Sequence, residues 1–418
     1  MEQRANLPWY RRLHWQIFVA MGLGIVAGLI GGEALVPKVA WIGTLFLKLL
    51  KMIIVPLVLT SIVSGVASVG SGRDLGRLFG KTMGYYVMTS ALAALTGLLL
   101  VNLIKPGVGA NLGGVEQAEM PELASKTPID LVLDLVPENV VRAAADGDML
   151  PIIVFCILLG ATIAALPKAP QRTLIDFFSA AFQAIMLLTR GIMRFLPIGV
   201  FAMITKVVGS SGVEAFQALG LYMLTIALGL LVHLFVTLPL VLRFLGGIPP
   251  AIHFRNMVEP LAMAFSTSSS AATLPVTINA VENKVGVSNK VSSFVLPMGA
   301  TVNMDGTALY ECAGVIFISQ VLGAQLGFTE QLIVVATALL ASIGAAAVPS
   351  AGLVIIFIVL EAVNLRGPEV DAIVLTMLAI DRPLDMARTA VNVFSDSCGA
   401  AIIARSEGET EVDARVVA

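Results

Sequence analysis

Long apolar runs follow one another through the first part of the chain, at about 15–31, 41–68, 82–104, 149–166, 175–205 and 217–245. A helix needs roughly 20 apolar residues to cross the hydrocarbon core of a bilayer. Charged residues make up only 13% of this chain, whereas soluble proteins carry about 25%. Lipid must therefore cover the surface, and the sequence predicts an all-helical integral membrane protein without a soluble domain.

The flanks of these runs predict an orientation. Basic residues precede the first run and separate the second from the third, whereas the connection 105–148 carries eight acidic residues. Since short loops rich in lysine and arginine stay in the cytoplasm, we expect the N-terminus and the 71–81 loop inside and 105–148 outside. The first run is interpreted as a membrane helix rather than a signal peptide, because further apolar runs follow at once. We expect a multi-pass protein of the cell inner (plasma) membrane.

The remaining composition argues against several other classes. A net charge of −2 without a basic stripe gives no footprint for nucleic acid. The three cysteines, far apart in apolar stretches, match neither a disulfide framework nor a metal site; they are Cys156, Cys312 and Cys398. The three histidines are expected to lie outside every polar cluster, which leaves a serine nucleophile without a base; they are His14, His233 and His253. We therefore do not expect an enzyme.

Beyond residue 250 small and polar stretches interrupt the apolar pattern. They read AFSTSSSAATLPVT at 264–277 and ASIGAAAVPSAG at 341–352. Irregular backbone at membrane depth is tolerated only where protein buries it or where it lines a cavity. Two interruptions in corresponding places, each before a charged helix, predict an inverted repeat with a binding site near the membrane midplane.

A polar stripe follows in the segment DRPLDMARTAVNVFSD, residues 381–396. On a helix, Asp381, Asp385, Arg388, Asn392 and Asp396 fall within an arc of roughly 80° along about 22 Å. Each charge at the bilayer centre costs roughly 2.5–3.5 kcal/mol, so the stripe must face partners or water. One interpretation is a structural charge network that ties helices together. The other is a solute site, in which Arg388 holds a carboxylate and Asp385 an ammonium group, as an acidic amino acid requires.

Three further polar clusters lie inside apolar segments. In NMDGT at 303–307, Asp305 beside Gly306 could open the helix so that carbonyls and the carboxylate meet Na⁺; an ordinary turn is the alternative. Ser268, Ser269 and Ser270 could present hydroxyls or amides to an anion at a half-helix end, although serine triplets are common in loops. For the third patch, Tyr86, Thr89 and Ser90, hydrogen bonding of the hydroxyls to their own helix is the ordinary explanation.

Together these motifs resemble the glutamate transporter family of dicarboxylate/amino acid:cation symporters. The resemblance is dense from about 250 to 405, in SSSAATLPVT, LPMGATVNMDGTALYE, ASIGAAAVPSAG and DRPLDMARTAVNVFSD. Weaker matches extend it over nearly the whole chain, in KMIIVPLV, YYVMTS, MLPIIVFCILLG and PIGVFAMI.

The resemblance implies a homotrimer with an elevator mechanism. It implies eight transmembrane helices and two re-entrant helical hairpins, near 253–285 and 328–362, in inverted repeats. Residues 1–80 would form scaffold helices one and two, and 81–104 helix three of the transport domain. Residues 105–245 would hold the extracellular loop and helices four to six, mostly scaffold, and 250–408 the transport core. The polar end, 409–418, is expected to be a loose tail.

The resemblance also implies ligands for substrate and cations. Substrate would contact Ser268, Ser269, Ser270, Thr307, Gly352, Asp385, Arg388, Thr389 and Asn392. One sodium site would use Gly299, Asn303, Asn392 and Asp396. A second would use Thr301 with the carbonyls of Ser342, Ile343 and Ala345. A third would use Tyr86, Thr89, Ser90, Asn303 and Asp305.

Several positions depart from the family pattern. Ser268 and Met386 stand where family members carry a guanidinium near the substrate, and Arg382 is a candidate substitute. Ser395 replaces a common glycine beside Asp396. Glu311 stands as in proton-coupled members, where it either carries a proton or remains a neutral, hydrogen-bonded carboxyl. Asp381 is expected to support the network.

These expectations define a secondary active symporter for L-aspartate or L-glutamate in a lipid bilayer. Na⁺ is the expected coupling ion and H⁺ a second candidate. The alternatives are a carrier of the same fold driven by protons alone, a C4-dicarboxylate carrier, and a passive anion channel. Paired charges rather than rings of one sign favour a carrier over a channel.

Overall fold

The computed structural model describes residues 13–67, 73–110, 136–146, 149–211, 214–343, 351–378 and 380–413. This part of the chain is helical and contains no strand. The first eight helices are α1 Leu13–Ala67, α2 Arg73–Ile104, α3 Val140–Asp146, α4 Met149–Ala164, α5 Lys168–Met193, α6 Leu196–Ser211, α7 Glu214–Val232 and α8 Leu238–Gly246. The others are α9 Pro250–Thr267, α10 Ser270–Ala280, α11 Asn289–Val302, α12 Asp305–Val321, α13 Phe328–Ile343, α14 Ala351–Ala362, α15 Pro368–Leu378 and α16 Asp381–Ser406.

Four helical segments in the described ranges are long and apolar enough to cross a membrane: Val19–Phe46, Gly76–Ile104, Lys168–Thr189 and Leu219–Gly246. Large apolar side chains point outward from them, among them Ile30 at 83% exposure and Leu103 at 75%. Shorter apolar helices accompany them. Apolar surface on this scale suits contact with lipid, as the predicted all-helical membrane protein requires.

Three predicted runs have different bounds in the structure. The runs 15–31 and 41–68 belong to α1, whose helical path breaks at Gly32 (φ 49°, ψ −149°). This left-handed conformation costs glycine little. The run 175–205 was expected to be continuous, but the chain leaves the helix at Arg194 and starts α6 at Leu196. Pro197 lies in the first turn of α6, where a residue without an N–H is favoured.

The first predicted interruption, 264–277, is a break between two packed helices. α9 ends at Thr267, and the next residue, Ser268, adopts a left-handed φ of 49°. The extended Ser269 caps α10 by accepting a hydrogen bond from the Ala272 amide at 3.3 Å. α13 and α14 also pack against each other. The segment 344–350 between them, with most of the second interruption, lies outside the described residues.

The centre of the fold consists of α12 and α16. Every residue of α12 from Asp305 to Ser319 is buried, and α16 is buried from Thr389 to Ala404 apart from Ala390. α2, α13 and α14 pack on α12, while α9 and α11 pack on α16. The polar residues of both helices therefore find their partners inside the protein.

The expected loose tail is wrong for residues 409–413. After α16 the chain turns back at Gly408 (φ 97°) and packs against α9 and the segment that follows α10. Val412 and Asp413 are buried, at 0% and 2% exposure. A buried valine and a carboxylate with hydrogen-bond partners explain why this polar segment is held. We call Glu407–Asp413 the C-terminal strap.

Candidate substrate and cation site

A backbone break brings the polar residues of α11, α12 and α16 together. α11 ends at Val302, Asn303 is extended, and α12 begins at Asp305. The Gly306 amide at this new helix start donates to the Asn392 side-chain oxygen on α16 at 2.7 Å. The helix break expected in NMDGT is present, and it lies just before Asp305. The whole segment is buried, which excludes the alternative of an exposed turn.

The first half of the stripe on α16 forms a compact cluster of four charges. Arg388 Nη2 donates to Asp381 Oδ1 at 2.9 Å and to Asp385 Oδ1 at 3.1 Å. Arg382 Nη1 donates to Asp385 Oδ2 at 3.1 Å. All four side chains are buried. Two arginines and two aspartates balance one another, which is how buried charge is tolerated.

The guanidinium of Arg388 keeps donors beyond this cluster. Its Cζ atom lies 3.9 Å from the centroid of the Tyr310 ring on α12. Its Nη1 faces Gly352 on α14, where an added Cβ would lie only 2.8 Å from that nitrogen. Within the described ranges, neither Nη1 nor Nε of Arg388 has a hydrogen-bond partner. A buried fork with unused donors suits a carboxylate ligand.

The other predicted substrate residues that the structure describes make different contacts. Thr389 donates to the Asp385 carbonyl at 2.8 Å, and Thr307 is buried on α12. Ser268 and Ser270 are buried at the α9–α10 break, and Ser268 Oγ has no hydrogen-bond partner among residues that the structure describes. On α12, both carboxyl oxygens of the buried Glu311 likewise have no such partner there.

Asp305 forms a second, separate polar centre. Its Oδ1 accepts from Thr89 at 3.1 Å and Ser90 at 2.7 Å, and its Oδ2 accepts from His233 Nε2 at 3.0 Å. The structure thus brings together three residues of the predicted third sodium site. Thr89 also bonds back to its own helix, at 3.2 Å to the Tyr85 carbonyl.

The other two residues of that set make different contacts. Tyr86 donates to the Val295 carbonyl at 2.8 Å, and Asn303 turns its amide nitrogen to α16. The expectation that the histidines lie outside the polar clusters is wrong for His233, which sits on a short π-helical segment, His233–Thr237. The residues directly around His233 in the sequence are apolar and do not indicate this contact. Its partner, Asp305, lies 72 positions away in the chain.

Asp396, at the far end of the stripe, forms a third centre. Its Oδ1 accepts from Asn303 Nδ2 at 2.9 Å, and Gly299 lies against the carboxylate so closely that a Cβ there would clash. Asn303 Nδ2 also donates to Ser395 Oγ at 3.0 Å. The serine that replaces the expected glycine therefore supplies an acceptor to Asn303. Asn392, predicted with this set, directs its oxygen to Gly306 instead.

The second predicted sodium set is only partly visible. Thr301 is exposed and donates to the Met298 carbonyl at 3.0 Å, and Ser342 is buried and donates to the Leu339 carbonyl at 2.9 Å. Ile343 ends α13, and Ala345 lies outside the described residues.

Comparison with known proteins identifies the family. The sodium:dicarboxylate symporter family matches residues 13–406. The chain belongs to this family. It is 35% identical over 406 residues to the proton/sodium-glutamate symport protein of Bacillus caldotenax, covering 95% of both chains. It is 33% identical over 411 residues to the proton/glutamate-aspartate symporter of Escherichia coli (strain K12), covering 94% and 93%. Excitatory amino acid transporter 3 of Homo sapiens is 34% identical over 463 residues, covering 96% of this chain and 87% of the human protein.

Membership of the sodium:dicarboxylate symporter family confirms the resemblance drawn from the motifs. The protein is a membrane transporter and not an enzyme. The matched residues include every helix from α1 to α16, whereas the C-terminal strap follows them.

Proposed function

We propose that the protein is a symporter that takes up acidic amino acids, L-aspartate or L-glutamate, driven by a Na⁺ gradient. The observation that carries this is the buried Arg388–Asp385 pair, in which opposite charges lie 3.1 Å apart and the guanidinium keeps donors that no described residue uses. An acidic amino acid carries a side-chain carboxylate and an ammonium group, the two complements of such a pair. The relatives' names, glutamate symport protein and glutamate-aspartate symporter, support the same substrate class.

Each of the two charges would bind a different group of the substrate. The guanidinium of Arg388 binds the side-chain carboxylate through donors that Asp381 and Asp385 do not use. Asp385 accepts the ammonium group, so that its contact with Arg382 is exchanged for substrate. The remaining substrate residues, proposed to read the α-carboxylate and close the site, are Ser268, Ser269, Ser270, Thr307, Gly352, Thr389 and Asn392.

The cations would occupy the two aspartate centres. In the described structure no lysine or arginine contacts Asp305 or Asp396, although both are buried. A buried carboxylate without a full counter-charge is costly, and a bound cation removes that cost. Thr89 and Ser90 would share the Na⁺ at Asp305 with Tyr86 and Asn303. Asn303, Gly299 and Asn392 would share the Na⁺ at Asp396. A further Na⁺ would use Thr301, Ser342, Ile343 and Ala345.

A proton is the second proposed coupling ion. Glu311 is fully buried on α12, one turn from Thr307, and no described residue is hydrogen-bonded to its carboxyl group. A carboxyl group in that position can travel through the membrane neutral and release its proton on the other side. The relatives named for both proton and sodium support testing both ions.

The architecture proposed with this function has eight membrane-spanning helices and two re-entrant hairpins, α9–α10 and α13–α14. Residues 1–80 and most of 105–245 form the scaffold, and 81–104 with 250–408 the moving transport domain. The protein works as an elevator-type homotrimer in the plasma (inner) membrane with a cytoplasmic N-terminus. The burial of α12 and α16 inside shells formed by other helices supports a unit that moves as one body.

Uptake of labelled L-aspartate into proteoliposomes tests the proposal. We expect accumulation against a gradient under an inward Na⁺ gradient, and abolition in Arg388→Ala. Competition with excess unlabelled succinate, which lacks the amino group, is expected to be weak. Strong competition would establish the C4-dicarboxylate carrier instead, and current without accumulation would establish the anion channel.

The two ions are separated in the same assay. Accumulation with an H⁺ gradient and no Na⁺ would refute the sodium sites at Asp305 and Asp396. We expect an imposed pH gradient to alter Na⁺-driven uptake in the wild type and not in Glu311→Gln. An identical pH response in both proteins would refute the role of Glu311.

A further inference from the structure

The C-terminal strap is fixed at several points to the elements beneath it. Glu407 accepts hydrogen bonds from Lys81 at 2.5 Å and Arg77 at 2.7 Å, both on α2. Arg405 donates to two strap carbonyls, at 2.9 Å and 3.2 Å. The amide of Asp413 donates to the Val285 carbonyl at 2.6 Å. The strap therefore follows one defined path from the end of α16 to the start of α9.

The strap ends at Asp413, whose buried carboxylate accepts hydrogen bonds from two side chains of α9. Asp413 Oδ2 accepts from His253 Nδ1 at 2.7 Å, and Asp413 Oδ1 accepts from Asn256 Nδ2 at 2.8 Å. Asp413 and His253 are both buried, at 2% and 0% exposure. The carboxylate fixes the tautomer of the imidazole, because Nδ1 must carry the hydrogen that it donates. The histidine, expected outside every polar cluster, thus belongs to one.

The same imidazole reaches α16 beside the aspartate proposed to bind Na⁺. His253 Nε2 and Ser397 Oγ form a hydrogen bond at 2.9 Å, and Ser397 directly follows Asp396. The imidazole also meets the Phe394 ring edge to face, with centroids 5.5 Å apart. Phe254 stacks on the same ring at 4.1 Å. α9 therefore packs against the turn of α16 from Phe394 to Ser397, which includes Asp396.

We propose that Asp413 and His253 are positioning residues for the cation site at Asp396, acting through the contact between His253 and Ser397. This inference rests on the proposed function, because it takes Asp396 as a sodium ligand. Groups outside the ligand shell orient the ligands, and their loss typically lowers metal affinity about 10–100-fold. Asp413 is two contacts away from the Asp396 turn, so a smaller effect of about fivefold is expected.

The test measures the Na⁺ concentration for half-maximal aspartate uptake in proteoliposomes of the full-length protein. Asp413→Asn keeps the size of the side chain and removes its charge; Ser397→Ala leaves the strap untouched and removes only the link to α16. We expect both variants to raise the half-saturating Na⁺ concentration, by about fivefold in Asp413→Asn and by at least about fivefold in Ser397→Ala, which removes the contact through which Asp413 acts. Asp413→Glu, which restores the carboxylate, is expected to recover part of the loss. The aspartate half-saturation at saturating Na⁺ is expected to stay within about twofold.

Two further variants identify the cause of a negative result. Thr410→Ala is the matched control, because Thr410 is exposed on the strap and its carbonyl, which Arg405 uses, is retained. Asp396→Asn is the benchmark for the site itself. If Asp396→Asn shifts the Na⁺ dependence while Asp413→Asn and Ser397→Ala match Thr410→Ala, the positioning role is refuted and the sodium site stands. If Asp396→Asn also has no effect, the proposed sodium site fails and the positioning role with it. Should Asp413→Asn fail to fold, Ser397→Ala alone decides the question.

Discussion

The cation site proposed at Asp396 leads to a steric prediction at Gly299. This glycine lies on α11 with no room for a side chain: a Cβ would stand 2.6 Å from the Tyr86 hydroxyl and closer still to Asp396 Oδ1. Ordinary contact begins at 3.4 Å, so the tyrosine must yield by about 0.8 Å and the carboxylate by more. Overpacking of this kind costs about 1–3 kcal/mol. If the carboxylate moves, the cost appears as weaker binding of the cation that it is proposed to hold.

Gly299→Ala is therefore expected to raise the Na⁺ concentration for half-maximal aspartate uptake by about 5- to 150-fold, since 1.4 kcal/mol corresponds to a factor of ten. The assay is initial uptake into proteoliposomes over a series of Na⁺ concentrations at constant ionic strength. Gly220→Ala on α7 is the control, because an added Cβ there meets no atom within 4 Å. An unchanged Na⁺ dependence in folded Gly299→Ala would show that Asp396 does not hold the transported cation.

Three other substitutions follow from the contacts. Arg388→Lys keeps the charge but loses the planar fork; we expect aspartate kcat/KM to fall at least about tenfold, and equal uptake by both proteins would refute carboxylate recognition by Arg388. His233→Phe keeps a ring but removes the donor to Asp305 Oδ2; we expect Na⁺ to raise the Tm less than in wild type, and an equal Na⁺-induced rise would contradict a role for this contact. Two hydrogen bonds lower the pKa of Glu407 from its usual 4.5, and the one from Lys81 has a larger effect than the one from Arg77. A lowered folded-state pKa contributes stability that is fully present above the usual pKa and is lost as the pH falls through the lowered one. The Tm difference between wild type and Glu407→Gln should therefore be present at pH 7 and decline as the pH falls below 4.5. A constant difference across this range would refute the ion pair as its source.

The polar stripe on α16 could be predicted because it depends on helical period alone. Residues spaced by three and four lie on one face wherever the helix is placed, and in so apolar a chain their charge must face partners or water rather than lipid. The pairing within the stripe could not be predicted. Arg388 could reach Asp381, Asp385 or a partner on another helix, and its position over Tyr310 depends on how α12 packs.

The histidines show why the rest of the site could not be predicted. His233 stands in the apolar segment LLVHLFV, and His253 follows two prolines and two small or apolar residues. Neither has an acidic neighbour at helical spacing that would indicate a contact. Their partners lie 72 and 160 positions away, so only the packing of helices brings them together. The strap was misjudged for the same reason: its composition is polar, and the receiving groups on α9 and α16 cannot be read from the strap itself.

The distribution of buried charge supports the proposal that substrate and cations bind at different centres. Asp381, Arg382, Asp385 and Arg388 balance one another, so an acidic amino acid entering this cluster adds its own net negative charge to a neutral site. Removing such a charge from water without compensation is prohibitive in a dry interior. Compensation must come from cations, and the buried carboxylates of Asp305 and Asp396 lie outside the cluster, where neither arginine contacts them. Were the aspartates paired with arginine, substrate could bind without a cation and the coupling would be lost. In the proposed function, coupling therefore depends as much on the carboxylates that no arginine contacts, Asp305 and Asp396, as on those that Arg382 and Arg388 contact.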